Sequence, residues 1–157
     1  SMRHVLAAGI AALALLLVGS QTAKAADKPL DGYVWSDTCK TCHAKHFAAW
    51  ERTKHSKAIS RLSGGDKDAG GKCIGCHVTP AGNSLADKDV NANIQCEGCH
   101  GPGKAHVEAA SAGEKKPGKI TLNPPESLCV ECHSAKSPHF KFFSYAAMKT
   151  LVHAGAK

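Results

Sequence analysis

The sequence predicts a mainly α, loop-rich single domain with little or no β structure, and three observations predict it. The chain is poor in bulky side chains: among 157 residues there are four Phe, two Trp, two Tyr and two Met, and much of the 43% hydrophobic fraction is alanine. Apolar residues keep a helical period only over short stretches, separated by Gly- and Pro-containing breaks. One pentapeptide, Cys-x-x-Cys-His, occurs four times and uses all eight cysteines. A domain of this composition buries little apolar area per residue, so something other than side chains has to fill its interior.

The four copies are Cys39-Lys-Thr-Cys42-His43, Cys73-Ile-Gly-Cys76-His77, Cys96-Glu-Gly-Cys99-His100 and Cys129-Val-Glu-Cys132-His133. This spacing is the attachment signal for c-type haem. On one helical turn the i and i+3 side chains project together, so two thiols meet the two vinyl groups of one porphyrin and the following His lies under the iron. Four disulfides, or two zinc sites of four thiolates each, are the competing uses of eight cysteines. Neither requires the His, yet every pair is followed by one although His is only 10 of 157 residues. Chance gives that coincidence a probability on the order of one in a hundred thousand. The reading is therefore a small multihaem cytochrome c fold with four covalently bound haem c groups as its core. With ligand binding doing the work of folding, the apoprotein is expected to be largely disordered.

Residues 1–25 read as a signal peptide and 26–157 as the tetrahaem domain. Arg3 and His4 form a basic n-region, Val5 to Val18 an apolar h-region, and Ala23-Lys24-Ala25 a small-residue cleavage site. The apolar run is short for a membrane span, so no span is expected after processing and the location is periplasmic or extracellular. Removing Arg3 and Lys24 from 20 basic residues leaves 18 against 13 acidic. Eight propionates against four ferric cores then bring the total to about +1. Lys115, Lys116 and Lys119 cluster around Pro117-Gly118; a plain solvated loop is the ordinary reading, and guidance of an acidic redox partner the functional one. With no basic helix and no basic-aromatic interleaving, nucleic acid is excluded as a partner.

In chain order, residues 26–34 read as an extended arm broken at Pro29 and Gly32, and Ser36 or Asp37 as the cap of the turn bearing the first motif. A helix is expected from His43 to about Leu62, stopped at Gly64-Gly65. Gly70-Gly71 leads into the second motif, and residues 78–95 read as loop. Gly101-Pro102-Gly103 turns the chain into a short helix from Lys104 to about Ala112, ended by Gly113. Asn123-Pro124-Pro125-Glu126 has the form of a helix start, and Phe143 to His153 reads as the last helix. Motif intervals of 34, 23 and 33 residues are uneven, so the chain is a set of sites and not a solenoid.

His43, His77, His100 and His133 are the proximal iron ligands. Outside the signal segment His46, His55, His106, His139 and His153 remain as candidates for the opposite porphyrin faces. His46 lies three residues from His43 on a helix and points the same way, so it is not His43's partner. His46 and His55 face opposite sides of their helix and do not share a haem. Each distal ligand therefore joins two distant segments through one iron. Met148, the thioether alternative, has apolar helical spacing with Tyr145 and Val152 and reads as core. Mostly His/His ligation implies lower potentials than His/Met.

Trp50 and His55 following His43, Cys96-Glu-Gly-Cys99-His100-Gly-Pro-Gly with His106 after it, and Ser137-Pro-His-Phe140 through Tyr145 to His153 together resemble the cytochrome c-554 family. These are tetrahaem periplasmic electron carriers known as acceptors from hydroxylamine oxidoreductase, and the resemblance covers most of residues 36–155. It implies that His106 completes the first haem with His43, His153 the third with His100, and His55 the fourth with His133. In that family the second haem, here on His77, can be five-coordinate. This chain is shorter than that type and carries His46 and His139 in addition; either could cap the second iron or bond a propionate.

Three functions compete. The first is electron transfer between exported redox proteins, with no catalytic residue and no enzyme activity. The second is reduction of a small nitrogen oxide such as nitric oxide at an open iron on His77, although Thr79, Asn83 and Asp87 nearby read as ordinary loop residues. The third is a subunit of an extracellular haem filament, an oligomer with His153 donated between chains.

Overall fold

The computed structural model describes residues 31–68, 73–85 and 90–156. The expected signal peptide, the start of the N-terminal arm, Asp87 and Gly70-Gly71 lie outside the described residues. Two helices open the described chain, α1 (Trp35–Lys40) and α2 (Ala44–Glu51), with His43 between them in a non-helical conformation. In α2, good helix formers surround Phe47 and Trp50, whose rings meet at 5.3 Å across one turn. Trp50 Nε1–H donates to the Ile94 carbonyl at 2.8 Å, tying this helix to the middle of the chain.

The long helix expected from His43 to Leu62 is interrupted. It ends at Glu51 and resumes as a 3-10 segment, His55–Arg61, kinked at Lys57. Hydroxyls cause the break by taking carbonyls that a continuous helix needs: Thr53 Oγ1 donates to Trp50 O at 2.7 Å and Ser56 Oγ to Glu51 O at 2.9 Å. Bonds to the middle of the chain then fix the new course, Ile59 N–H to Asn93 Oδ1 at 2.9 Å and Ile94 N–H to His55 O at 3.0 Å. Gly64 and Gly65 do not end structure but begin another short helix, α3 (Gly64–Asp68). Ser63 launches it, its hydroxyl donating to Asp66 Oδ2 at 2.6 Å, and these bonds hold the Asp66 carboxyl below its ordinary range.

The stretch 78–95, expected as loop, contains a two-residue antiparallel ladder, β1 (Val78–Thr79) against β2 (Asn91–Ala92), with Val78 facing Ala92 and Thr79 facing Asn91. Two residues per strand leave no period to read in the sequence. The fully buried Thr79 hydroxyl donates to Asn93 O at 3.0 Å and accepts Gln95 N–H at 2.9 Å, carrying the chain into the third motif. A Cβ on Gly98 would sit 3.0 Å from that same hydroxyl oxygen and 3.2 Å from Ile94 Cγ2, so a side chain there would have to displace one or both.

The third motif is α4 (Cys96–His100), followed after Gly101 at φ +79 by α5 (Lys104–Ser111), with Gly113 at φ +88 beyond its end. α6 (Glu126–Cys129) starts behind an extended Pro125, and α7 (Tyr145–Val152) follows Ser144. These agree with the expected helices to within one or two residues. The architecture is helical and loop-rich around one minimal sheet. Its apolar core consists of Phe47, Ala49, Ala58, Ile74, Val78 and Ala109, whereas Leu122 and Phe142 are 75% exposed. Side chains alone leave much large apolar surface uncovered, as the composition predicts. No helix among the described residues is long and apolar enough to cross a membrane.

Candidate haem-binding site

Each motif occupies a turn, and in the first and fourth a hydrogen bond brings the His back to the first Cys, in the second to the residue after it. His43 N–H donates to Cys39 O and His133 N–H to Cys129 O, both at 2.9 Å, and His77 N–H donates to Ile74 O at 2.7 Å. No disulfide joins any of the eight cysteines. Among the described residues no three His, Cys, Asp or Glu side chains converge on a point that could hold a metal ion.

Motifs distant in sequence are neighbours in space. The Cys39 thiol lies within hydrogen-bonding reach of Cys96, which pushes the Cys39 thiol up and holds Cys96 down at about 6. Burial, then contact with Cys76, raises Cys132 to about 12, and burial raises Cys99 to about 11 with Cys129 and Cys96 nearby. The first motif therefore adjoins the third, the second adjoins the fourth, and Cys99 joins the two sets.

Three histidine pairs form across the chain. The rings of His43 and His106 lie 6.1 Å apart at 28°, those of His100 and His153 6.0 Å apart at 26°, and those of His55 and His133 5.9 Å apart at 56°. An iron bound between two imidazoles through bonds of about 2 Å separates the ring centres by roughly 6 Å, so the donor set fits axial ligation in both chemistry and spacing. Burial lowers His43, His55, His133 and His153 below the ordinary imidazole range, favouring the neutral, ligating form.

Carbonyl groups fix the orientation of several rings. Nδ1–H of His77 donates to Ala58 O at 2.7 Å, that of His100 to Thr121 O at 2.6 Å, and that of His106 to Gly118 O at 2.8 Å. A carbonyl only accepts, so in each ring the proton sits on Nδ1 and the Nε2 lone pair is left for a metal. His153 Nδ1 is buried without a hydrogen bond, the His46 main chain lying near it but outside bonding geometry. Phe143 stacks on His133 at 4.8 Å and 17°.

The remaining candidates are placed differently. His77 has no ring in contact with it among the described residues. The exposed His46 meets His43 edge-on at 6.1 Å and His153 at 5.2 Å, standing beside two pairs without belonging to either. His139 is exposed, its N–H donating to Ser137 Oγ at 3.3 Å, with Asp66 in its electrostatic neighbourhood. Met148 is 39% exposed, so its expected core role is not seen in the protein part.

Sequence reasoning missed the groups that join motifs to one another. Glu97, 2% exposed, accepts Val34 N–H at 2.9 Å, Trp35 N–H at 2.7 Å and Gly103 N–H at 2.7 Å. It therefore caps α1 from a site sixty residues away, the role expected of Ser36 or Asp37. Ser36 instead caps the third motif: its hydroxyl accepts Cys96 N–H at 3.2 Å, and its own N–H donates to Gln95 Oε1 at 3.1 Å. No local pattern marks such reciprocal caps.

The family described as cytochrome c554 and c-prime matches residues 38–101. Among curated proteins, cytochrome c-554 of Nitrosomonas europaea is 28% identical over 188 aligned positions, covering 90% of this chain and 77% of the relative. No solved structure matches the chain. With its repeated thiol-His turns and facing imidazoles, the chain is similar to the cytochrome c-554 family of c-type cytochromes.

Proposed function

We propose that the chain is an exported tetrahaem cytochrome that passes single electrons between redox proteins in the periplasm. Haem is attached at Cys39/Cys42, Cys73/Cys76, Cys96/Cys99 and Cys129/Cys132, over His43, His77, His100 and His133. The observation that carries this reading is the set of three facing imidazole pairs, His43/His106, His100/His153 and His55/His133, at 5.9 to 6.1 Å. When bound, each haem supplies a one-electron ferric/ferrous couple whose potential the axial ligands set.

The residues hold and tune that couple. Two imidazoles per site favour low potentials, and the carbonyls on Nδ1–H of His100 and His106 increase the electron density of the rings and lower them further. The contacts between the first and third and between the second and fourth motifs support short transfer distances within each set. Intact mass and a haemochrome assay of the exported protein test the reading. Four haem adducts and cleavage after Ala25 are expected; fewer adducts would overturn it.

One observation favours a second activity at His77. This ring is oriented through Ala58 O yet faces no other imidazole among the described residues, which supports an open coordination position there. Against turnover, the residues nearby are already engaged: the Thr79 hydroxyl is committed to Asn93 and Gln95, and Asn83 Nδ2 donates to Pro80 O. Carbon monoxide or nitric oxide added to the ferrous protein tests it, and an unchanged spectrum eliminates it.

A further inference from the structure

Residues 115–121 form a strap over the paired first and third sites, and it is bonded to both. Gly118 O accepts Nδ1–H of His106, Thr121 O accepts Nδ1–H of His100, and Thr121 N–H returns to the His100 carbonyl at 2.9 Å. Gly118 at φ +49 and Lys119 at φ +57 are consecutive left-handed residues, a corner that lysine adopts only when its surroundings fix it. The strap carries Lys115, Lys116 and Lys119, all exposed. Among the described residues none of the three has a carboxylate within ion-pair distance, the recorded bridge being Lys104 to Asp31. Across residues 111–123 the only acidic residue is Glu114. Three cations therefore sit on a backbone whose own carbonyls touch one ligand of each of two irons.

We propose that this strap is the docking face for an acidic, one-electron redox protein, and that the His43/His106 and His100/His153 sites beneath it exchange electrons with that partner. The inference rests on the electron-carrier reading and adds to it the surface and the partner's charge. Opposite charge at such a face speeds encounter and fixes orientation, and salt screens it. Because the strap's carbonyls are the hydrogen-bond acceptors of two ligands, a docked partner also presses on groups that tune those irons.

The test uses the holoprotein and flavodoxin, an acidic one-electron flavoprotein, as the probe. Two triple variants carry the same charge change: Lys115→Glu, Lys116→Glu, Lys119→Glu on the strap, and Lys136→Glu, Lys141→Glu, Lys149→Glu elsewhere on the surface. Stopped-flow reduction by flavodoxin hydroquinone at low ionic strength is expected to slow about tenfold or more in the strap variant and no more than about threefold in the control. The difference should vanish near 0.5 M salt. Binding of oxidised flavodoxin to the ferric cytochrome, followed by NMR, supplies a readout independent of electron transfer, and only the strap variant should lose it. Equal effects in the two variants, or no binding by the unaltered protein, would overturn the docking face. Failure of the carrier reading has a different signature: no reduction by flavodoxin or by dithionite at any salt.

Discussion

The Glu97 carboxylate accepts the Trp35 N–H at 2.7 Å, so a residue inside the third Cys-x-x-Cys-His turn terminates the helix that carries the first. Trp35 itself has φ +67, a left-handed conformation unusual for a bulky residue. Two further amides, of Val34 and Gly103, share the same carboxylate. Glu97→Ala removes the acceptor from three N–H groups at a nearly fully buried carboxylate and is expected to cost about 3 kcal/mol or more. Glu97→Gln keeps one oxygen but turns an NH2 toward an N–H, and should recover only part of the loss. Denaturant unfolding of the holoproteins measures both.

His106→Ala, His153→Ala and His55→Ala should each convert one low-spin haem to a high-spin, carbon-monoxide-binding form. His46→Ala and His139→Ala should leave the low-spin count unchanged. Absorption and EPR spectra of the ferric proteins make the comparison, and a new high-spin signal in His46→Ala would contradict the pairing.

The angle between two axial imidazole planes sets the splitting of the iron d orbitals. His43/His106 and His100/His153 are close to parallel at 28° and 26°, whereas His55/His133 are inclined at 56°. EPR should therefore show two similar rhombic low-spin species and one more anisotropic. The anisotropic signal should be the one that His55→Ala abolishes.

Phe143 lies flat on His133. Phe143→Ala should cost about 1 kcal/mol beyond the loss of buried area and alter the anisotropic signal while sparing the other two. A Phe143→Leu variant keeps the apolar area and separates stacking from burial.

Removing the cofactors should remove the fold. Among the described residues the apolar core is Phe47, Ile74, Val78 and a few alanines, too little to offset the conformational entropy of a chain this long. Protein made without haem attachment is expected to give a coil-like far-UV circular dichroism spectrum, and the holoprotein a helical one.

The helices at Lys104 and Glu126 were legible in the sequence because Gly-Pro-Gly and Pro-Pro-Glu act locally, and the helix at Tyr145 because Tyr145, Met148 and Val152 keep a helical spacing. The four Cys-x-x-Cys-His turns were legible for the same reason: each signal lies within five residues. The break after Glu51 was not, since it depends on the Thr53 and Ser56 hydroxyls winning carbonyls from the helix and on Asn93 receiving Ile59. Glu97 as a cap, and the Ala58, Gly118 and Thr121 carbonyls as anchors for imidazoles, were hidden because each acts on a residue remote in sequence. The β1–β2 ladder is too short for alternation to register.

The facing rings connect residue 43 to 106, 55 to 133 and 100 to 153, and each span overlaps the next. Every peptide bond between His43 and His153 therefore lies under at least one of them. With an iron held between each pair, as proposed, a protease that nicks any loop in this interval would leave two fragments still joined, and no cut would yield an autonomous half. Such a molecule would resist piecemeal trimming and reuse of its parts: it would persist, or be lost, as a whole.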